Sequence, residues 1–305
     1  MSVYNTFHDV AIEKAPKQQI IVDAFTRKAP IFAGMPVEAS SDRFHNVYER
    51  VNDVTGAGLV NLDEALPEVS ASTELEQIPL SVFGGKILVP SYKANMLGRD
   101  AYVAKRLKMI LPRTAQKVEE SIIYNNIRAT AISNGNYDTA GGSNNTNYSI
   151  CAVNWQPGET TGLYDPEAFG AGEVFDMKWL NGGNEANITY NSKSIPGYEM
   201  IIRSNFGVQL ANERYISALV NVDPVNNAAG ITAEKIDQLL LNAEYGDSTL
   251  LYMHPVVLTY LQKFKASSLY ITNAETGIDR RIITWNGVPI VTSYNFKKGT
   301  EANQA

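Results

Sequence analysis

The chain reads as an α+β fold in which one long helix lies across a β-rich body. Three observations predict this. An amphipathic run of helical period extends from Leu111 to Ser133. Short strand-like runs broken by Gly, Pro and Asn dominate the chain beyond it. Before it, a long acidic segment joins two strand candidates.

The helix rests on spacing. Ala115, Val118, Ile122, Ala129 and Ile132 recur at three, four or seven residues, and Ile123 and Ile127 widen the stripe. Lys117, Glu119, Glu120 and Arg128 fall on other faces. Pro112 suits a first helical turn, where its missing N–H would be unpaired anyway. Asn134-Gly135 supplies the stop. At ~1.5 Å per residue the predicted rod is about 35 Å long.

Residues 1–40 read as an N-terminal arm. A short helix is expected from Lys17 to Thr26, between Pro16 and Pro30, but the segment has too little periodicity for a core of its own. Such an arm needs another surface to pack on. Phe44 to Val51 and Leu75 to Val89 are strand candidates, the second closed by Pro90. From Asp53 to Glu76 the acids are Asp53, Asp63, Glu64, Glu68, Glu74 and Glu76, and no Lys or Arg occurs. A one-sign run on a long two-stranded flap calls for a basic partner. From Arg99 to Lys117 the bases are Arg99, Lys105, Arg106, Lys108, Arg113 and Lys117, against Asp100 alone. The expected inter-subunit contacts are therefore Asp63, Glu64 and Glu68 of one copy with Arg106, Arg113 and Lys117 of another.

Beyond the Asn134–Asn147 loop the texture is β. Strands are expected at Ser149–Trp155, Thr161–Tyr164, Gly172–Leu180 and Glu199–Leu210, while Arg214–Val222 reads as strand or short helix. Ile231 to Glu244 is a second helix with Thr232 as N-cap, and Thr249 to Met253 is a buried strand. His254-Pro255 opens a third helix to about Lys265. Arg281 to Tyr294 is a hairpin around Asn286-Gly287, the dipeptide a type I′ turn asks for.

Bulk properties and missing motifs narrow the function. A chain of 305 residues with 44% apolar composition can bury a large core. A net charge of −6 argues against a dedicated nucleic-acid binder. One cysteine, Cys151, allows neither an internal disulfide nor a cysteine-based zinc site, and its apolar setting predicts a buried, inert thiol. His8, His45 and His254 are isolated, so no metal or other cofactor is expected. No nucleophile, phosphate-loop or dinucleotide motif occurs, and no apolar run is long enough for a membrane helix. An enzyme is disfavoured. Trp155, Trp179 and Trp285 lie within predicted strands, where core packing is favoured over a sugar platform.

The order of elements resembles the major capsid (coat) proteins of tailed double-stranded DNA bacteriophages with the HK97-like fold. Ser149, Ile150, Val153 and Trp155 match a coat-protein strand that follows the spine helix. Gly207, Val208, Leu210, Asn212, Arg214 and Tyr215 match the next segment, which closes at Asn221-Val222-Asp223, and Gly287 to Val291 is similar to the strand near the end of these proteins. The chain departs from the pattern at Gln156, Ala218 and Tyr164-Asp165-Pro166-Glu167. The resemblance implies an N-terminal arm at 1–40, an E-loop hairpin at 41–93, a spine helix and P-domain at 94–141 with strands near 285–305, and mainly A-domain at 142–284. It also implies hexamers and pentamers forming an icosahedral shell around double-stranded DNA. Expected partners are a portal protein, a separate scaffolding protein and decoration proteins, with only weak, non-specific contact to DNA and none to membrane. Assembly is expected in the host bacterial cytoplasm. An encapsulin-like compartment shell shares this layout and is the alternative, with a β-rich carbohydrate-binding or hydrolytic protein behind it.

Overall fold

The computed structural model describes residues 5–56, 65, 68–143, 146–223, 231–263, 269–273, 281–297 and 301. Three short helices come first: α1 (Phe7–Lys14), α2 (Gln19–Thr26) and α3 (Pro30–Gly34). Thr6 caps α1, its Oγ1 accepting from Asp9 N at 3.3 Å, and Pro30 occupies the first turn of α3. The sequence suggested one helix here on an arm packed elsewhere. The segment instead folds back on its own chain. Phe7, Phe25 and Phe32 are fully buried and meet Phe83 and Phe206, with ring centroids 4.3 Å apart for Phe7–Phe32, 4.6 Å for Phe32–Phe206 and 5.4 Å for Phe25–Phe83. Its weak periodicity did mean no separate core; the core it joins belongs to the same subunit.

β1 (Val37–Ala39) leads to β2 (His45–Thr55) and β3 (Ser70–Pro79), an antiparallel hairpin paired from His45↔Pro79 to Thr55↔Ser70 with a one-residue register shift between Val51 and Asp53. The run Leu75–Val89, read as one interrupted strand, is two. The chain changes sheets at buried Leu80 and continues as β4 (Ser81–Pro90). Local β propensity marks both halves but carries no sign of which sheet each joins.

After α4 (Ser91–Leu97), Gly98 turns the chain with φ +80°. α5 (Arg99–Ser121), a π-helical segment (Ile122–Ile127) and α6 (Arg128–Ser133) then form one rod of about 50 Å. The rod starts twelve residues before the predicted Leu111, so the basic lead-in is helical and Pro112 lies inside it. Proline there removes one backbone hydrogen bond. Tyr102, Val103, Leu111 and Ala115, all buried, hold the helix to the body on both sides of it. The buried stripe also differs from prediction. Leu111, Ala115, Glu119, Ile122, Ile123, Ile127 and Ala131 are buried, whereas Ala129 is exposed and Val118 and Ile132 are half-buried. The π segment adds a residue to its turn, so the stripe advances from the expected Ala129 toward Ala131.

The β-rich body comprises β5 (Tyr137–Thr139), β6 (Tyr148–Asn154), β7 (Thr160–Tyr164), α7 (Pro166–Gly170), β8 (Asp176–Trp179), β9 (Ala186–Tyr190), β10 (Lys193–Leu210) and β11 (Ile216–Val222). It continues through α8 (Ala233–Asn242), β12 (Thr249–Met253), α9 (Pro255–Lys263), β13 (Leu269–Asn273), β14 (Arg281–Trp285) and β15 (Val288–Thr292). One sheet runs β1-β7-β10-β4, with β8 and β9 also paired to β10. Another runs β13-β14-β15-β12-β6-β11-β5. The larger core joins the N-terminal helices, the long helix and both of these sheets, and a second core lies under α8 and α9. Thr232 Oγ1 accepts from Lys235 N at 3.3 Å, the predicted cap of α8. Asn286 and Gly287 have φ of 46° and 86°, as a type I′ turn requires.

Gly197, on β10, lies under Ile188 and Val89. A Cβ there would sit 2.4 Å from Ile188 Cδ1 and 2.7 Å from Val89 O. Gly197→Ala should destabilise the unassembled protein by about 1–3 kcal/mol through overpacking, read as a lower urea midpoint. An unchanged midpoint would show that β9 gives way freely.

Candidate assembly surfaces

The hairpin β2–β3 is a sheet of two strands only. Such a ribbon is marginal without a face to pack on, and it shows apolar side chains to solvent: Val47, Val69 and Leu75, the last 75% exposed. Tyr48 OH donates to Glu76 across the strands. Of the expected acidic contacts, Glu68 is exposed, and Asp63 and Glu64 lie outside the described residues.

Arg106, Arg113 and Lys117 share one side of α5 because steps of seven and four residues return to nearly the same angle. Their surroundings differ. Lys117 Nζ pairs with Glu120 at 2.6 Å and lines a groove of ≈ 550 Å³ between the helix, the hairpin root at Ile78 and Pro79, and Val82, Phe83 and Val208 of the adjoining sheet. Arg113 is exposed. Arg106 is half-buried, its Nε donating to Tyr102 OH at 3.1 Å. Lys93 Nζ lies 5.8 Å from the centroid of the same Tyr102 ring. Lys93 Nζ donates to Tyr190 OH at 2.9 Å and lies 4.9 Å from that ring's centroid; this bond raises the Lys93 pKa and lowers that of Tyr190. Arg99 stacks 4.5 Å over Trp179 and donates to Gly183 O at 2.8 Å.

Two buried carboxylates bind the long helix to the C-terminal segment. Glu119 was expected on an outer face; it is fully buried. Its Oε2 accepts from Ile31 N at 2.8 Å and Phe32 N at 3.1 Å, the free amides at the start of α3. Its Oε1 bonds Ser293 Oγ and accepts from Asn295 Nδ2 at 2.9 Å. Burial raises the Glu119 pKa against the effect of these donors. Glu301 is also buried, taking Tyr124 OH at 2.5 Å and Ser149 Oγ, with Arg128 Nε at 3.7 Å. Burial raises its pKa too. The first clasp lies just ahead of the π-helical segment, and the second holds Tyr124 within it. Glu119 keeps the spacing of the buried stripe, four residues after Ala115 and three before Ile122, but the partners of both carboxylates come from distant parts of the chain.

The remaining chemistry-bearing residues are packed away. Trp155 and Trp285 are fully buried, with Trp155 Nε1 donating to Tyr252 OH at 2.7 Å, and Arg99 covers Trp179. These positions overturn the sugar-platform reading. Burial pushes the Cys151 thiol up to about 12, so it stays protonated and unreactive. His254 is buried where α9 begins, its Nδ1 accepting from Val256 N at 3.1 Å.

The sequence profile of the family described as Major capsid protein GP7 matches residues 121–302, more than half of the chain. The chain belongs to that family. Its α+β fold is HK97-like. A chain of the bacteriophage Epsilon15 structure superposes with a TM-score of 0.53 at 14% identity, covering 88% of each chain. The capsid of bacteriophage JBD30 aligns with a TM-score of 0.49 at 8% identity, over 85% of this chain and 88% of that one. No curated protein matches the chain in sequence. This major capsid protein is structural, not an enzyme, and its copies build a capsid shell. The compartment-shell alternative has less support than the phage capsid.

Proposed function

We propose that this capsid protein assembles as hexamers and pentamers in which the β2–β3 hairpin of one copy lies over its neighbour, enclosing double-stranded DNA. One observation carries this: the hairpin is a separate two-stranded sheet with uncovered apolar side chains, and it carries the base-free acidic run from Asp53 to Glu76. A second copy offers both complements, an apolar groove lined in part by Lys117 and, one helical turn before it, the exposed Arg113. On this reading Glu68, with Asp63 and Glu64, meets Arg113 and Lys117 of the adjacent subunit, while Arg106, drawn toward Tyr102, takes a smaller part. Residues 41–93 act as the E-loop. The helix from 94 to 141 and the strands near 285–305 form the P-domain, and 142–284 mainly the A-domain. Residues 1–40 serve chiefly to complete the subunit's own core, and reach neighbours only through their exposed faces. A portal protein, a separate scaffolding protein and decoration proteins complete the particle, assembled in the host bacterial cytoplasm.

Each exposed ion pair contributes only ~0–1 kcal/mol, so the effect arises from several pairs repeated around the shell. The triple variant Asp63→Lys, Glu64→Lys, Glu68→Lys should therefore fail to form shells, or form them only with strong salt dependence, by negative-stain microscopy. Adding Arg113→Glu and Lys117→Glu should partly restore them. Parent-like assembly by the triple variant would remove the charge pairing and leave the family assignment intact.

A further inference from the structure

We propose that the joint between α4 and the first turns of α5 contacts phosphodiester groups of the enclosed DNA through Lys93, Arg99 and Arg106. The proposal rests on the reading that the shell holds double-stranded DNA, and it names where the wall touches it.

The way these cations are held matters. Some bases of the subunit pair with carboxylates, among them Arg128 with Glu301, Arg203 with Asp176 and Arg214 with Glu244. Lys93 and Arg106 have no carboxylate partner among the described residues. Their hydrogen bonds go to the phenol oxygens of Tyr190 and Tyr102, at 2.9 and 3.1 Å. Arg99 rests on the Trp179 ring and the Gly183 carbonyl; Asp100, 3.6 Å from its Nε, is itself 83% exposed. Phenols, ring faces and carbonyls orient a cation without cancelling its charge. The outcome is three fixed positive charges on a chain whose net charge is −6.

Their spacing favours a regular polyanion. Arg99 and Arg106 are seven residues apart on one side of a helix, a rise of ~10.5 Å. Duplex DNA carries one phosphate charge per ~1.7 Å of its axis, so cations at that separation can each meet a phosphate without a fixed register. An acidic peptide segment is the competing occupant, but the chain's own acidic hairpin is matched by Arg113 and Lys117 farther along the helix. A small cluster on an acidic wall would position DNA without gripping it, because each phosphate contact adds a salt-sensitive increment.

The test measures binding of the unassembled full-length protein to a short linear DNA duplex by fluorescence anisotropy over a range of salt concentrations. In parallel, shells are examined by microscopy and assayed for nucleic acid. The variant Lys93→Gln, Arg99→Gln, Arg106→Gln should flatten the slope of log affinity against log salt by about 2–3, at ~0.9 for each phosphate no longer neutralised. Arg113→Gln with Lys117→Gln should leave the slope alone. An unchanged slope in the triple variant overturns the proposal. So does failed shell assembly with DNA binding intact, which would make the cluster a subunit contact. If circular dichroism shows the triple variant unfolded, Arg106→Gln alone decides the matter, since it gives up contacts to the Tyr102 and Tyr190 phenols and no ion pair among the described residues. It should lower the slope by about 1, and no change again overturns the site. Native shells that contain DNA alongside an unchanged slope sink this site only, whereas shells without DNA sink the wider reading.

Discussion

Glu119→Ala is expected to cost the subunit about 3–5 kcal/mol, seen as a large drop in the urea midpoint of the unassembled protein. The carboxylate holds the first amides of α3, Ser293 and Asn295 to the middle of the long helix. Truncation leaves buried donors without acceptors, at about 1–3 kcal/mol for each group. Glu119→Gln should cost much less, because its carbonyl still accepts from Ile31 and Phe32 and Ser293 Oγ has lone pairs for the new amide. A pH dependence accompanies this. Burial raises the Glu119 pKa above its ordinary 4.5, so between the unfolded and folded values the folded protein binds more protons. Stability contributed here is highest at low pH, declines as pH rises through that window, and is flat above the folded value. Glu301 acts in the same direction. Glu119→Gln should therefore reduce the slope of stability against pH in that range. A variant with the parent's slope would show that Glu119 does not titrate on unfolding.

Phe32→Ala should be comparably damaging, at about 3–5 kcal/mol by denaturant unfolding. Phe32 is fully buried, and its ring touches Phe7, Phe25, Phe83 and Phe206. The substitution would leave a cavity where the N-terminal helices meet the sheet and the long helix. The measurement also separates two pictures of residues 1–40. If they formed a free arm whose place is on another subunit, the isolated protein would unfold as the parent does, and only shells would suffer. If they complete the subunit's own core, the loss appears before assembly.

The parts of this protein legible in its sequence are those set by local rules. Thr232 caps α8 because a hydroxyl three residues from a free amide is a local arrangement. Asn286-Gly287 makes its turn because positive φ is a property of those two residues. Burial of Trp155, Trp285 and Cys151 followed from apolar strands that the fold covers. The Ser149–Asp223 segment pointed to a capsid protein through the order of its elements. The assembly contacts were legible only as opposite charge runs, since partners on another copy leave no spacing in one chain.

What the tertiary structure decided were matters of which distant groups meet. Glu119 lies on the long helix in step with its buried stripe. It is buried because α3, Ser293 and Asn295, far away along the chain, supply its donors. The helix runs through Pro112 because the body covers it on both sides, and the π-helical turn then shifts which later residues face inward. The N-terminal helices are ordered by Phe83 and Phe206, and nothing within forty residues of the start reveals that. Periodicity, caps and turns act over a few residues and can be read directly. Burial of a charge and the choice of sheet depend on long-range partners, whose contribution exists only once the chain has folded.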